Sequence, residues 1–305
     1  MITARGLTKR YRETLAVDDL SFEVRPGEVT GFLGPNGSGK STTMRLILGL
    51  DYADAGRAMV NGRRYADLSW PLREVGSLQE ARAFHPGRSG FHHLLALAQA
   101  NDIPRSRVDD VLDLVGLTKV ARKRAGTFSL GMGQRLGIAV ALLGDPGVLL
   151  FDEPVNSLDP DGIIWVRSLL RRLAADGRTV FVSSHLISEL ALSAERLVVI
   201  GRGRLIAETS VAELIAASPG RYVRVRSPRQ AELLSALRKA GAAVRQEDDG
   251  ALAVAGLDAD AIAELAARRR VVLHELSPQS ASLEEAFLEL THGALEYQGE
   301  PGTRP

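Results

Sequence analysis

Apolar positions along the first two-thirds of the chain come in short unbroken runs separated by stretches with helical spacing. Val29-Thr30-Gly31-Phe32-Leu33 is one such run, leading into a glycine-rich turn before helical spacing over Thr42 to Leu50. Val148-Leu149-Leu150-Phe151 and Thr179-Val180-Phe181-Val182 are two more. Continuous rather than alternating apolar residues are what strands covered on both faces require. Between them Pro160 opens a helix to about Ala175, with Ile163, Ile164, Val166, Leu169, Leu170 and Leu173 at its apolar positions. Residues Val108 to Val115, preceded by Pro104, belong to a helical insert expected over about 80–145. The alternation predicts an α/β core with a mainly parallel sheet, over residues 1–218.

Ser218-Pro219-Gly220 breaks the pattern, which then restarts on a smaller scale. Tyr222 to Arg226 alternates as a strand, Ala231 to Ala240 reads as a helix, and Ala242 to Val244 as a short strand. Asp248-Asp249-Gly250 turns into a strand from Ala251 to Ala255. Asp258 caps a helix to about Arg268, and a strand follows over Val271 to Leu276. This βαββαβ order predicts a small α+β, ferredoxin-like domain over 221–292. A last helix, Ser282 to Leu290, starts with a capping box in Ser282-Leu283-Glu284-Glu285. The tail over 293–305 is polar, holds Gly and Pro, and is expected to be disordered.

Composition narrows the functional classes. The net charge of +1 gives no electrostatic surplus for nucleic acid or an anionic bilayer, so no nucleic-acid partner is expected. Zero cysteines exclude disulfides, iron–sulfur clusters and thiolate zinc sites. Met1 to Arg12 shows no signal-peptide pattern, and the longest apolar stretch, Leu136 to Leu143, falls far short of the ~18 residues that span a bilayer. Work at a membrane would need another chain to cross it. Lysines are few (Lys9, Lys40, Lys119, Lys123 and Lys239), which makes each worth inspecting.

The sharpest chemical signal is Gly34-Pro35-Asn36-Gly37-Ser38-Gly39-Lys40-Ser41, a full match to G-x-x-x-x-G-K-[ST] between a strand and a helix. Its glycines let successive backbone N–H groups turn toward a β-phosphate, with the helix N-terminus, from Thr42 on, adding a favourable dipole. Lys40 would supply a cation to the β- and γ-phosphates, and the Ser41 hydroxyl a ligand for Mg²⁺. Asp152-Glu153 directly follows the Val148–Phe151 strand, at the carboxyl edge where ligands of such sheets collect. Asp152 is expected to hold Mg²⁺, and Glu153 to polarise an attacking water as general base.

In these motifs and their order the sequence resembles the ATP-binding subunits of ABC transporters over about residues 1–218. Gly34 to Ser41 is similar to that family's Walker A loop and Val148 to Glu153 to its Walker B strand. Asn156-Ser157-Leu158-Asp159 looks like its D-loop, and His185 in Ser183-Ser184-His185 like its switch histidine. Tyr11 stands where the family stacks an aromatic on adenine. Phe128-Ser129-Leu130-Gly131-Met132 stands at its signature, usually Leu-Ser-Gly-Gly-Gln, and keeps Ser129 and Gly131 while departing at Leu130 and Met132. In the family this segment caps the γ-phosphate bound by the opposite subunit, so the resemblance implies a second ATP-binding subunit, a copy or a paralogue. Counting back from His85-Pro86 puts Glu80 in the place of the family's Q-loop glutamine, where it would face the metal; a one-residue slip would put Gln79 there.

The resemblance thus implies a P-loop ATPase of ABC type that binds ATP and Mg²⁺. It would sit at the inner face of the cell membrane and touch the bilayer only through an integral membrane permease. The carboxy-terminal segment, above all Leu283 to Leu288, resembles the accessory domain of drug- and antibiotic-exporting ATPases of the daunorubicin-resistance kind, which implies export. A soluble ABC ATPase working on ribosomes or DNA, and a module that binds ATP with weak hydrolysis, are the other readings. The adjacent His92-His93 point apart on a helix and make a poor metal pair. The runs Arg122-Lys123-Arg124 and Arg268-Arg269-Arg270 read as a solvated face and a helix end.

Overall fold

The computed structural model describes residues 1–185, 187, 190, 192–217, 222–247, 249–279, 283 and 287. The break at Ser218-Pro219-Gly220, most of the helix expected over Ser282 to Leu290 and the tail from Gly293 lie outside them. Two compact units emerge, one on Met1–Val211 and one on Ala212–Leu290.

The first unit opens with a hairpin that hydrophobic patterning did not announce. Strands β1 (Ile2–Tyr11) and β2 (Thr14–Val24) pair antiparallel around Arg12, which adopts φ 50, and β4 (Ala55–Val60) adds to the other side of β1. Only one face of this three-stranded sheet is buried, so its apolar residues alternate with charged ones and are interrupted by register shifts.

The main sheet is built from β3 (Val29–Leu33), β5 (Val75–Leu78), β6 (Val148–Asp152), β7 (Thr179–Ser184), β8 (Arg196–Gly201) and β9 (Arg204–Ser210) in the order β5-β6-β7-β3-β8-β9. Five strands run parallel and β9 closes the edge antiparallel to β8. The expected buried strands are these, and every residue of β3 and β7 is buried. Phe22 of β2 packs against Phe32 and Phe181, with ring centroids 4.9–5.6 Å apart, so an aromatic trio joins the two sheets. Because β3 is flanked by β7 and β8, the chain leaves it in a crevice at the carboxyl edge shared with β6 and β7.

Among the described residues these strands are accompanied by helices α1 (Lys40–Ile47), α2 (Pro71–Glu74), α3 (Gly90–Ala100), α4 (Ser106–Leu114), α5 (Leu130–Leu142) and α6 (Pro160–Ala175). Helices α3 to α5 form the helical insert. Glycines let α5 approach β5 closely: a Cβ on Gly76 would fall 1.9 Å from the Ala141 carbonyl oxygen, and one on Gly137 2.4 Å from Leu78 Cδ1. The apolar stretch from Leu136 belongs to α5, and no helix among the described residues is long and apolar enough to cross a membrane.

The second unit has strands β10 (Tyr222–Arg226), β11 (Ala243–Gln246), β12 (Leu252–Ala255) and β13 (Glu275–Gln279), in the order β11-β12-β10-β13 and antiparallel throughout. Helices Gln230–Lys239 and Ala259–Arg268 complete a ferredoxin-like βαββαβ. Val223, Val225, Leu252 and Val254 share its core with Leu233, Leu237 and Ile262. The last strand starts later than the sequence suggests. The Val271 N–H bonds the Ala266 carbonyl (2.9 Å) and Arg270 adopts φ 54, so Val271 still closes the helix and pairing begins only at Glu275.

Candidate active site

Between β3 and α1 the chain makes a turn that side chains would obstruct. Gly37 and Gly39 adopt φ 78 and 102, the left-handed region. A Cβ on Gly34 would lie 2.4 Å from Ser38 Oγ and 2.6 Å from the Ile200 carbonyl oxygen, and one on Gly39 2.4 Å from the Ala16 carbonyl oxygen. Helix α1 then starts at Lys40 with no acidic residue in its first turn, so its N-terminal N–H groups and dipole meet no competing carboxylate there. The turn is pinned from the far edge of the sheet, where the Gly203 N–H donates to the Ser38 carbonyl (3.0 Å).

Lys40 is only 8% exposed, and its Nζ donates to the carbonyl oxygens of Gly34 (2.6 Å) and Pro35 (3.1 Å). Burial lowers its pKa below the ordinary lysine value, against the opposing pull of the Glu153 and Asp152 carboxylates. Ser38 Oγ is buried with no hydrogen-bond partner. An ammonium with one of its three donors unspent and an orphaned hydroxyl, in a turn kept open by glycines, form a cradle with capacity to spare for anionic oxygens. The cavity above it is about 670 Å³, lined by Asn36 to Thr42 together with Glu153, Asn156 and His185.

The acidic side of this cavity is ordered by strand register. Asp152, the last residue of β6, pairs with Ser183 of β7. The buried Ser183 hydroxyl donates to the Asp152 carboxylate and accepts the Glu153 N–H (3.1 Å). Glu153 adopts φ 51, uncommon for a side-chain-bearing residue. Its Oε2 lies 2.8 Å from His185 Nδ1, just past the end of β7. Its carbonyl accepts the Nε2 of buried Gln134 at 3.0 Å.

One chain therefore brings together Asn36, Gly37, Ser38, Gly39, Lys40, Ser41, Thr42, Glu153 and His185, with Asp152 next to them through Ser183 and with the Gly34 and Pro35 carbonyls as acceptors for Lys40. The other sequence-predicted residues do not line this cavity. Ser129 N-caps α5, its Oγ accepting the Met132 N–H (3.2 Å), and Asp159 N-caps α6, accepting the Gly162 N–H (2.9 Å). A Cβ on Gly131 would sit 3.2 Å from the Ser157 carbonyl oxygen, so the segment after Ser129 lies against the loop before α6. The Tyr11 hydroxyl donates to Asp51 Oδ2 (2.6 Å), which also accepts Arg45 Nε (2.7 Å), while Lys9 Nζ lies 5.2 Å from the ring centre.

Glu80 does not line the cavity above the cradle. It lines a second cavity, of about 300 Å³, with Gln79, Arg45, Phe84 and His93, and among the described residues no three acidic or histidine side chains cluster as a metal set. Sequence reasoning missed Ser183, Gln134, Asn156, Arg202 and the Thr14–Ala16 edge of the cavity. Asn156 stood inside a quoted motif, and Ser183 beside His185. Gln134 opens the Gln134-Arg135-Leu136 run that sets the register of the signature segment, and nothing local marks Arg202 or Thr14 to Ala16.

A family model described as "ABC transporter" matches residues 17–156, and a model of a domain of unknown function matches residues 221–284. An uncharacterized ABC transporter ATP-binding protein of Bacillus subtilis (strain 168), YhcH, is 34% identical over 302 residues, covering 95% of this chain and 96% of that protein. The Nod factor export ATP-binding protein I of Burkholderia pseudomallei (strain 1710b) is 35% identical, covering 95% and 96%. The bacitracin transport ATP-binding protein BcrA of Enterococcus faecalis is 39% identical over 70% of each chain. A solved structure of the ATP-binding subunit of an ABC transporter superposes with a TM-score of 0.65 at 26% identity, covering 71% of this chain and 92% of that one.

Proposed function

The chain belongs to the ABC transporter family of ATP-binding proteins, and from that premise we propose that it is the ATP-hydrolysing subunit of an exporter, driving a separate membrane permease. The observation that carries the reading is the Glu153–His185 pair, 2.8 Å apart at the mouth of the Lys40 cradle. The turn over Gly34 to Ser41 takes the terminal phosphates, Lys40 releases its carbonyl partners to meet them, and Glu153 accepts a proton from the attacking water. His185 orients Glu153. Positioning and charge stabilisation supply the catalysis. Ser41 and Asp152 offer hard oxygen donors for Mg²⁺, which when bound neutralises charge on the phosphates.

Ser129 and Gly131 stay outside their own chain's cavity, as a site completed by a second subunit requires. Two copies, or this chain and a paralogue, would enclose two ATP between cradle and signature. Residues Glu80 to Pro86 would meet the permease, the only route to the bilayer, from the cytoplasmic side. The relatives that transport bacitracin or export Nod factor support export. The carboxy-terminal unit would then be an accessory domain over 221–292. The deciding experiment is phosphate release from the purified chain with MgATP, run beside Glu153→Gln, together with capture of a multi-span membrane protein by the tagged chain. Turnover that ignores Glu153→Gln would refute the site, and capture of ribosomes or DNA instead would refute the partner.

A further inference from the structure

Glu153 is gripped by its main chain. Its N–H donates to Ser183, and its carbonyl accepts the Asn156 N–H (3.2 Å) as well as Gln134 Nε2 (3.0 Å). The contacts from Ser183 and Asn156 come from the neighbouring strand and from the same turn. The third comes from α5, whose first turn carries the signature segment. Gln134 is 3% exposed, and the group it faces is a carbonyl, so the amide nitrogen must be the end pointing there. Close packing fixes the helix that carries it, since Gly133 abuts the Ala81 carbonyl and Gly137 abuts Leu78.

We propose that Gln134 is a positioning residue for Glu153: its amide locks the peptide that follows Glu153, holding the residue at φ 51 with its carboxylate on His185. The inference rests on reading Glu153 as the base. A left-handed non-glycine residue persists only where its surroundings over-determine it, and here α5 supplies one of the determinants. Because Ser129 caps the same helix, a displacement at the signature end is carried to the Glu153 peptide of the same chain. A water held for in-line attack tolerates little error; an ångström of misplacement costs about a hundredfold in rate.

Gln134→Met keeps the volume and removes the donor. The expected result is a fall in kcat of about tenfold or more, with ATP affinity changed by less than about twofold and an unchanged melting temperature. Gln134→Glu adds a readout that packing alone would not move. Only its protonated form can donate to the carbonyl, so its kcat relative to wild type rises as pH falls. A Gln134→Met enzyme turning over like wild type overturns the inference, as does a pH-independent Gln134→Glu ratio should the methionine variant fail to fold. Glu153→Gln separates the two levels: if it is inactive while Gln134→Met is normal, the inference fails alone; if it hydrolyses normally, the reading of Glu153 fails too.

Discussion

Oε2 of Glu153 lies 2.8 Å from Nδ1 of His185, although the two residues follow different strands and are 32 positions apart. Parallel pairing of β6 with β7 brings the strand ends level, and the left-handed turn at Glu153 aims its carboxylate across the gap. Two side chains that act as one unit give non-additive losses. Glu153→Gln should lower steady-state phosphate release by about a hundredfold or more while nucleotide binding persists. It should also accumulate an ATP-bound dimer on size exclusion. His185→Ala should lose less, and the double variant no more than Glu153→Gln alone. Additive losses in that cycle would separate the two residues' roles.

Lys40 gives a prediction with opposite signs for stability and binding. Burial lowers its pKa, so the unfolded chain holds this proton more tightly than the folded one. Folding stability therefore rises with pH between the lowered folded value and the ordinary value of 10.5. Lys40→Met removes that contribution: the nucleotide-free variant should gain stability over wild type at neutral pH, and the gain should fade as pH approaches the ordinary lysine value. Its ATP affinity should fall about 10- to 100-fold, the loss of charge-assisted contacts to phosphate. Chemical denaturation across pH and calorimetric titration with ATP check the two halves.

What the sequence made legible was whatever is local. The turn at Gly34 to Ser41 needs glycines at fixed places, the buried strands need unbroken apolar runs, and Asp159 and Asp258 cap helices within three residues of themselves. The hairpin of β1 and β2 stayed hidden because a half-buried sheet spaces its apolar residues among Arg5, Lys9 and Arg10, and bulges break even that alternation. Ser183 and Gln134 act on the backbone of residues 30 and 19 positions away. Their partners exist only once strand register and the packing of α5 are set. Glu80 illustrates the converse: a motif register fixed its position along the chain, but its cavity is decided by Arg45 and the insert around it.

Ser183 ties both acids to the sheet, so Ser183→Ala should matter for folding and turnover alike. The side chain is fully buried, and losing its hydroxyl strips the Asp152 carboxylate of a donor and weakens the anchoring of the Glu153 N–H. The expected cost is about 1–3 kcal/mol of unfolding free energy. A urea titration gives the stability, and phosphate release should fall in parallel with Glu153's loss of anchorage. Unchanged values of both would show the hydroxyl to be idle.

The glycines of the cradle yield a binding prediction. At Gly39 a side chain meets both a left-handed backbone and the Ala16 carbonyl, which β2 holds in place. Gly39→Ala should therefore distort the start of α1 and abolish measurable ATP binding, whereas Gly37→Ala, with open space around its Cβ, is strained only by its φ of 78. The ranking of the two, by calorimetry, tests whether close approach rather than backbone freedom alone keeps the turn in shape.

Tyr11 is the residue whose part in nucleotide binding rests most on resemblance, and it can be tested on its own. The residue is 42% exposed and its hydroxyl is spent on Asp51, which raises the phenol's pKa. If the ring stacks on adenine, Tyr11→Phe keeps the stacking face, drops only the Asp51 contact, and binds ATP within about twofold of wild type. Tyr11→Ala loses a stacked aromatic pair worth about 0.5–1.5 kcal/mol beyond its area, roughly 2- to 13-fold in affinity. A triphosphate lacking a base then becomes the informative control: its affinity should be equal for wild type and Tyr11→Ala. Equal sensitivity of ATP and the base-free triphosphate to Tyr11→Ala would place the effect in the Asp51–Arg45 network, which the hydroxyl joins, and remove the tyrosine from the adenine site.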